Sequence, residues 1–550
     1  MTKLYGLKRA YSFDCADYPI RRWLPIGMGV LAYILLFVGT LVAQEQQEPL
    51  LQPGEAYVTR FSGITSENGQ IVILPEGVVG SIVDVRFPGV APVGQHWIDE
   101  PQRKPLTAAE VGQVFGIALD DQGPPNIFLT ATSAFGLHRT ADNADWMAGM
   151  WGSDGGPGTV YRLNRENNYA PEVFANIMLD GRENSGPALG NIAYDKWNRQ
   201  LYVSDLETGM IHRLRAEDGQ DLGRFDHGVD GRTSFFDVPG NAAAALDPVP
   251  FDPASSARID DCPSGEFSKS PECWNYADFR RRVWGLGVRQ DSASGQVRLY
   301  YSTWSSQGFG NPDYDKDNDE ARNAMWSVAI TETGDFDPAS VRREFFLPDF
   351  FANEEQIARS GYSHPVTDIA FPKCVEQNIM VVSERGGVRN LGLQAEEAFA
   401  YPHEGRVIRY ELGDNGTWQV VGRYNVGFYD RSLEGAPFVR SNSAGGIDFG
   451  LGYSSESIAD SGNLNDTLWM TGDALCSPKP NGACVNPETK ANDDTSQVHG
   501  LQGSQLRRDG RLSGRGALLY LRTKADADGP GKVGNSTSMF RNLEQRPPCN

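Results

Sequence analysis

Asp313, Asp315, Asp317 and Asp319 stand at alternate positions and carry the carboxylate pattern of a calcium loop. Calcium takes six to eight hard oxygen donors, which is what such a run supplies. Two departures from the EF-hand pattern count against it: Asn318 replaces the turn glycine, and Ala324 stands where the bidentate glutamate belongs. A calcium loop and a solvated acidic loop are therefore both open readings. His364 and His403 are candidate general bases. Trp146, Trp151, Trp274 and Trp304 would be platforms for sugars or partner side chains if exposed, and loop packing if buried. No GxSxG, HExxH or Walker loop occurs. Gly529 to Gly534 matches GxGxxG literally, but no strand precedes it and no helix follows, so it carries no chemistry.

The elements that must position these residues are strands. Leu189 to Leu214 holds three short apolar runs, Ile192–Tyr194, Leu201–Val203 and Met210–Leu214, separated by Asp/Asn/Gly clusters. Alternation with β-branched and aromatic residues predicts an antiparallel meander. The same pair of runs recurs at Val114–Asp120 with Asn126–Thr130, Val283–Val288 with Val297–Ser302, Val366–Phe371 with Asn378–Ser383, and Ala444–Phe449 with Thr467–Thr471. Third and fourth strands follow, as at Thr159–Leu163, Arg406–Tyr410, Glu344–Leu347 and Trp418–Val421. Radially repeated four-stranded units are the blades of a β-propeller.

Five blades are explicit. The less regular strands Tyr57–Phe61, Ile71–Leu74 and Ile82–Phe87, with Ala517 to Arg522 from the other end, are the candidates for a sixth. The expected fold is all-β, a propeller of six four-stranded blades, with seven as the alternative. Repeats start 75 to 94 residues apart, well beyond a compact blade. The excess falls after second strands (Ser133–Gly158, Trp304–Asn323, Arg385–Gly405, Asp473–Val498) and between blades (Gly228–Arg282, Pro348–Pro365, Gly427–Ser443). Both turn classes open on one face, around the mouth of the central channel; Gly450–Asp466 is the exception. Long loops on a rigid scaffold usually carry function.

Leu201-Tyr202-Val203-Ser204-Asp205 with Gly209 to Leu214 resembles the NHL and YWTD propeller repeats. It is also similar to the calcium-dependent six-bladed propellers: gluconolactonase/senescence-marker proteins, paraoxonases and strictosidine-synthase-like proteins. The resemblance spans roughly Val114 to Thr471 and is one of fold. It implies a metal in the channel, held by Asn, Asp and Glu from the starts of inner strands. The matching register here is Gly116, Asn191, Gly285, Asp368 and Gly446, of which Asn191 and Asp368 fit. Glu76 is an acidic candidate from the N-terminal blade. The other reading is that Asn191 and Asp368 cap neighbouring backbone at strand starts.

Composition bounds the rest. A net charge of −21 argues against a general nucleic-acid binder. Trp23 to Ala43 is a charge-free run of membrane-spanning length, behind Lys3, Lys8, Arg9, Arg21 and Arg22. This predicts a cytoplasmic basic segment (1–22), a transmembrane signal anchor (23–43), a linker (44–54), the propeller (55–522) and a polar tail (523–550). A cleaved signal is the alternative, and either way the propeller is exported to the periplasm or cell surface. Six cysteines follow the anchor. Proximity suggests the pairs Cys262–Cys273, Cys476–Cys484 and Cys374–Cys549, with Cys15 left free in the cytoplasm. No complete catalytic constellation appears, so the first expectation is a module binding a protein, small molecule or carbohydrate on its insertion-rich face. The second is a calcium-dependent lactonase or arylesterase-type hydrolase, with Asn191 and Asp368 holding the ion.

Overall fold

The computed structural model describes residues 48–85, 102–134, 140, 146–252, 277–305, 315, 318–349, 364–373, 378–385, 405–424, 426, 443–450, 452–453, 459–460, 467–472, 475, 484–485, 492–493, 500–505 and 517–520. The chain divides into Met1–Glu48 and Pro49–Asn550, and the described strands all lie in the second unit. No helix among the described residues is long and apolar enough to cross a membrane. The expected anchor 23–43 lies outside the described residues, as do Cys15, Cys262, Cys273, Cys374, Cys476 and Cys549.

The described residues build six blades. The second to sixth are four-stranded meanders, each contiguous in sequence, beginning with Val114–Leu119, Leu189–Asp195, Val283–Gln290, Val366–Ala370 and Ser443–Gly450. The first blade has three strands, Glu55–Thr59, Val78–Asp84 and Gln102–Thr107. Three details depart from expectation. Gln70–Ile73, expected in the first blade, pairs instead with Ile64–Glu67 in a separate two-stranded hairpin. Ala517–Tyr520 is the outer strand of the sixth blade and not part of the first, because the insertion after Gly472 delays that blade's last two strands. The first blade also runs the other way. Its innermost strand ends at the channel mouth, where the Thr59 hydroxyl donates to the Phe115 carbonyl, whereas the others begin there. Its three strands therefore take the places of second, third and fourth strands.

Inner strands read as unbroken apolar runs because both of their faces are covered by neighbouring blades. Val114–Leu119, Ile127–Ala131 and Gln200–Asp205 are buried throughout, while outer strands such as Asp221–Asp226 are largely exposed. Six apolar clusters fill the six joints. Tyr57, Ile82 and Leu106 meet Ile117 and Leu129 between the first and second blades. Ala118 and Phe128 meet Ile192 and Val203 at the next joint. Tyr202 and Ile211 meet Leu286 and Tyr301, then Tyr300 and Met325 meet Ile369 and Val382. Val381 and Val407 meet Ile447 and Met470. The ring closes where Trp469 and Leu501 pack on Ala56, Val58 and Val83.

Each full blade carries a β-bulge at the start of its first strand, between Val114 and Ile117, Leu189 and Ile192, Val283 and Leu286, Val366 and Asp368, and Ser443 and Ile447. A bulge takes backbone groups out of the ladder, and buried groups need other partners. Second-strand hydroxyls supply them. Thr130 Oγ1 accepts from Gly116 N–H (2.9 Å) and donates to the Gly190 carbonyl of the next blade (2.8 Å). Ser204 Oγ accepts from Asn191 N–H (2.9 Å) and donates to the Trp284 carbonyl (2.7 Å). Thr471 Oγ1 accepts from Gly446 N–H (2.9 Å).

On the opposite face the short turns are made by the aspartate at the end of a first strand. Asp195 Oδ1 accepts from the N–H groups of Trp197 (3.0 Å) and Asn198 (3.1 Å), and Asp120 does the same for Gln122 (3.1 Å) and Asn126 (2.9 Å). One feature has no counterpart in the repeat pattern. Phe235–Asp237 pairs parallel to the outer strand of the fourth blade, Ala242–Ala244 pairs with it in turn, and the sheet grows to six strands.

The Ser204 bridge is directly testable. Ser204→Ala removes a buried partner from both the Asn191 N–H and the Trp284 carbonyl, which should lower stability to urea by about 1–3 kcal/mol. Ser204→Thr should restore most of the loss, since Thr occupies the equivalent position at 130 and 471. An alanine variant as stable as the parent would remove the hydroxyl from the energetics of the joint.

Candidate functional site

The register that placed Asn191 and Asp368 at equivalent strand starts does bring them together. Asn191 Nδ2 donates to Asp368 Oδ1 (3.1 Å) and to the Thr367 carbonyl (3.0 Å). Asn191 Oδ1 accepts from Ile192 N–H (2.7 Å). Asp368 Oδ1 also accepts from Ile369 N–H (2.9 Å), and its Oδ2 from Ile447 N–H of the sixth blade (2.9 Å). The two side chains converge, and they cap strand-start backbone.

Two of the three glycines in the same register, Gly116 and Gly285, have a packing reason. A Cβ at Gly285 would lie 2.8 Å from Val366 Cγ1 and 2.9 Å from the Val366 carbonyl. One at Gly116 would lie 2.7 Å from Thr130 Oγ1. Inner strands approach too closely there for any side chain.

This donor set does not fit the calcium ion that the fold resemblance implies. Asn191 turns N–H rather than oxygen toward Asp368, and both Asp368 oxygens already accept N–H donors. The glycines bring no side-chain oxygen. Six to eight oxygens are what the ion requires. Among the described residues no group of three or more His, Cys, Asp or Glu is placed to hold a metal. Glu76 is exposed, in the turn before Val78. Aromatic rings close the mouth on this side: Phe115 lies 5.8 Å from Trp284 edge to face, and Trp284 lies 5.3 Å from Trp304, whose ring also carries the Arg282 guanidinium. Phe115, Trp284, Trp304, Asn191 and Asp368 are each at most 1 % exposed.

Around that plug, buried charges hold the mouth-side connections. Arg406 pairs with Glu384, neither exposed, and donates to the carbonyls of Pro348 and Asp349 (3.1 Å for the latter), fixing the connection into the fifth blade. Burial raises the Glu384 pKa, and Arg406 opposes the rise. Arg281 bonds Asp226 (2.8 Å), the Thr208 carbonyl (2.8 Å) and the Val249 carbonyl (2.6 Å), drawing three segments together. Glu207 accepts from Arg182 (2.5 Å), from Ser185 Oγ (2.8 Å) and from Ser185 N–H (2.7 Å). Asp205 accepts from Asn184 Nδ2 (2.9 Å) and Thr208 Oγ1 (2.7 Å) beside it. Their one mark in the sequence is a charged residue at the end of a buried second strand, as in Ser204-Asp205 and Ser383-Glu384.

The remaining candidates fall as follows. Asp315 is exposed and its carbonyl accepts from Asn318 N–H (3.1 Å), while Asn318 caps the short 3-10 turn Asp319–Ala321. Asp313 and Asp317 lie outside the described residues, as do His403 and Trp274. Trp146 and Trp151 pack edge to face at 5.7 Å, and Trp146 Nε1 donates to the Ser185 carbonyl (3.2 Å). They are loop packing and not open platforms. His364 is wholly buried, with its carbonyl accepting from Asn323 Nδ2 (2.7 Å). Burial, then Arg406, pushes its pKa down to about 3, which makes it a feeble base at neutral pH.

That shift has a sign. The unfolded chain binds the His364 proton near pH 6.5 and the folded chain only near 3. Stability is then intact above about pH 6.5 and falls as the pH drops toward 3, by up to about 1.4 kcal/mol per pH unit from this group. His364→Gln should flatten the stability profile in that window. Parallel profiles for parent and variant would contradict the shift.

No family model matches the chain, and no curated protein matches it. Among solved structures it is similar to a protein from Lactobacillus plantarum (10% identity, 89% of this chain and 100% of that one, TM-score 0.33). It is similar to a hypothetical selenium-binding protein from Sulfolobus tokodaii (10% identity, 88% and 94% covered, TM-score 0.38). A putative 6-phosphogluconolactonase from Bacteroides fragilis is a third (10% identity, 86% and 98% covered, TM-score 0.31). At TM-scores this low the fold rests on the strand pairing itself: the chain is a six-bladed β-propeller.

Proposed function

We propose that this chain is a binding or assembly module that presents a preorganised, loop-rich face to a protein, small-molecule or carbohydrate ligand. The observation that carries the reading is the set of buried charged networks at the channel mouth. Arg281, Glu207, Arg406 and Glu384 are at most 2 % exposed; the first three tie connecting segments and not blade to blade, and Glu384 holds Arg406 in place for it. Ordering loops before the ligand arrives removes that entropic cost from binding.

The propeller is proposed to lie outside the cytoplasm, held by residues 23–43, because the charge-free run follows a basic segment. Export would allow Cys262–Cys273, Cys476–Cys484 and Cys374–Cys549 to form. Non-reducing mass spectrometry of protein from its native compartment should find these links, and free thiols there would refute them.

Site-specific photo-crosslinkers test the binding face. Asp154, exposed in the loop after the second strand of the second blade, is on the mouth side, whereas Asp218, exposed between third and fourth strands of the third blade, is on the other. Position 154 should label a discrete partner or a ligand analogue, and position 218 should not. Equal labelling from both would defeat the assignment of the face.

A further inference from the structure

We infer that Asn191 and Asp368 do by direct hydrogen bonding what a central ion would do in a ring of this kind: they brace non-neighbouring blades across the channel mouth. Sequential blades are already joined by apolar packing, but Asn191 belongs to the third blade and reaches the fifth. From Asp368 the chain of bonds continues to Ile447 N–H of the sixth, and the Thr367 hydroxyl donates to the Gly445 carbonyl of the same blade (2.7 Å). From Asn191 N–H it runs back through Ser204 Oγ to the Trp284 carbonyl of the fourth. Four blades are thus connected through two side chains and two hydroxyls.

The orientation of the Asn191 carboxamide is dictated by its neighbours. Exchanging its oxygen and nitrogen would set an acceptor against the Thr367 carbonyl and Asp368 Oδ1, and a donor against Ile192 N–H. A buried carboxylate needs compensation for lost water. Asp368 receives three N–H donors, from Asn191, Ile369 and Ile447, in place of a cation. The brace concerns the ring itself and holds whichever ligand the loop-rich face takes.

Thermal melts of the full chain in calcium chloride and in EGTA test it. The parent should melt at the same temperature in both. Asp368→Asn keeps the shape but cannot accept from all three donors, and Asn191→Ala removes the cross-ring bonds. Each should melt about 2–5 °C lower, equally with and without calcium. A calcium-dependent rise in the parent that disappears in Asp368→Asn would place an ion there and overturn the inference. So would variants that melt with the parent. If neither variant folds, amide exchange on the parent decides: the segment 443–450 should be as protected in EGTA as in calcium, and protection that depends on calcium would overturn the brace.

Discussion

Everything at the centre of this molecule depends on how closely the first strands of adjacent blades must approach. At Gly116 and Gly285 the neighbouring strand leaves no room for a Cβ, and the strand start bulges out of its own ladder. Bulging strands backbone N–H and C=O groups in an interior without water, where each unmet group costs on the order of 1–3 kcal/mol. A hydroxyl answers both needs at once, accepting from the strand beside it and donating to the next blade. Thr130 and Ser204 do this at two successive joints, and at the joint before them Thr59 makes the donating half, to the Phe115 carbonyl. At the next two the same carbonyl register is met by the Asn191 amide and the Thr367 hydroxyl.

Those connections are held by charges that water does not reach. An ion pair such as Glu384–Arg406 gains little net stability over an apolar pair, because desolvation offsets the attraction. Breaking it is a different matter, since one uncompensated charge would stay buried. Such a pair therefore specifies where Pro348 and Asp349 must sit more than it strengthens the fold. Arg281 acts likewise on Asp226, Thr208 and Val249. The extra hairpin at Phe235–Ala244 also belongs to the insertion between the third and fourth blades, so that one segment builds mouth structure and covers a blade edge.

Much of the architecture was legible from periodicity, because a blade buried on both faces writes itself as a short apolar run with a turn at each end. Val114–Ala118, Ile192–Tyr194 and Leu201–Val203 are such runs. Convergence of Asn191 and Asp368 followed from register alone. What register could not convey was atom identity: whether an amide shows its oxygen or its nitrogen depends on Thr367 and Ile192, which periodicity treats as backbone. The hydroxyl bridges have a visible mark, a Ser or Thr one residue past the paired apolar position, at Thr130 and Ser204; Ser302, Ser383 and Thr471 carry the same mark without, among the described residues, the bond to the next blade's carbonyl. Tyr57-Val58-Thr59 carries the same mark as Tyr202-Val203-Ser204, and marks the first blade's inner strand as a second-strand equivalent. The buried charges on mouth connections were illegible because polar loop residues look alike until their partners, 21 to 73 positions away, are known.

The seam where the sixth blade meets the first differs from the other joints in one respect: the residues on its two sides are distant in sequence. Trp469 and Leu501 pack on Ala56, Val58 and Val83, so closing it confines a loop of some four hundred residues, whereas the other joints link consecutive segments. Loop closure costs entropy that grows with length, and long-range pairing slows folding. Taken from the N-terminus, the second to fifth blades meet their neighbours in chain order. The seam has to wait for the tail of the propeller. Until then the first blade presents one apolar face without its partner, and the nascent ring is a spiral with two sticky ends. Until the sixth blade has arrived, those ends stay open to the matching ends of other copies.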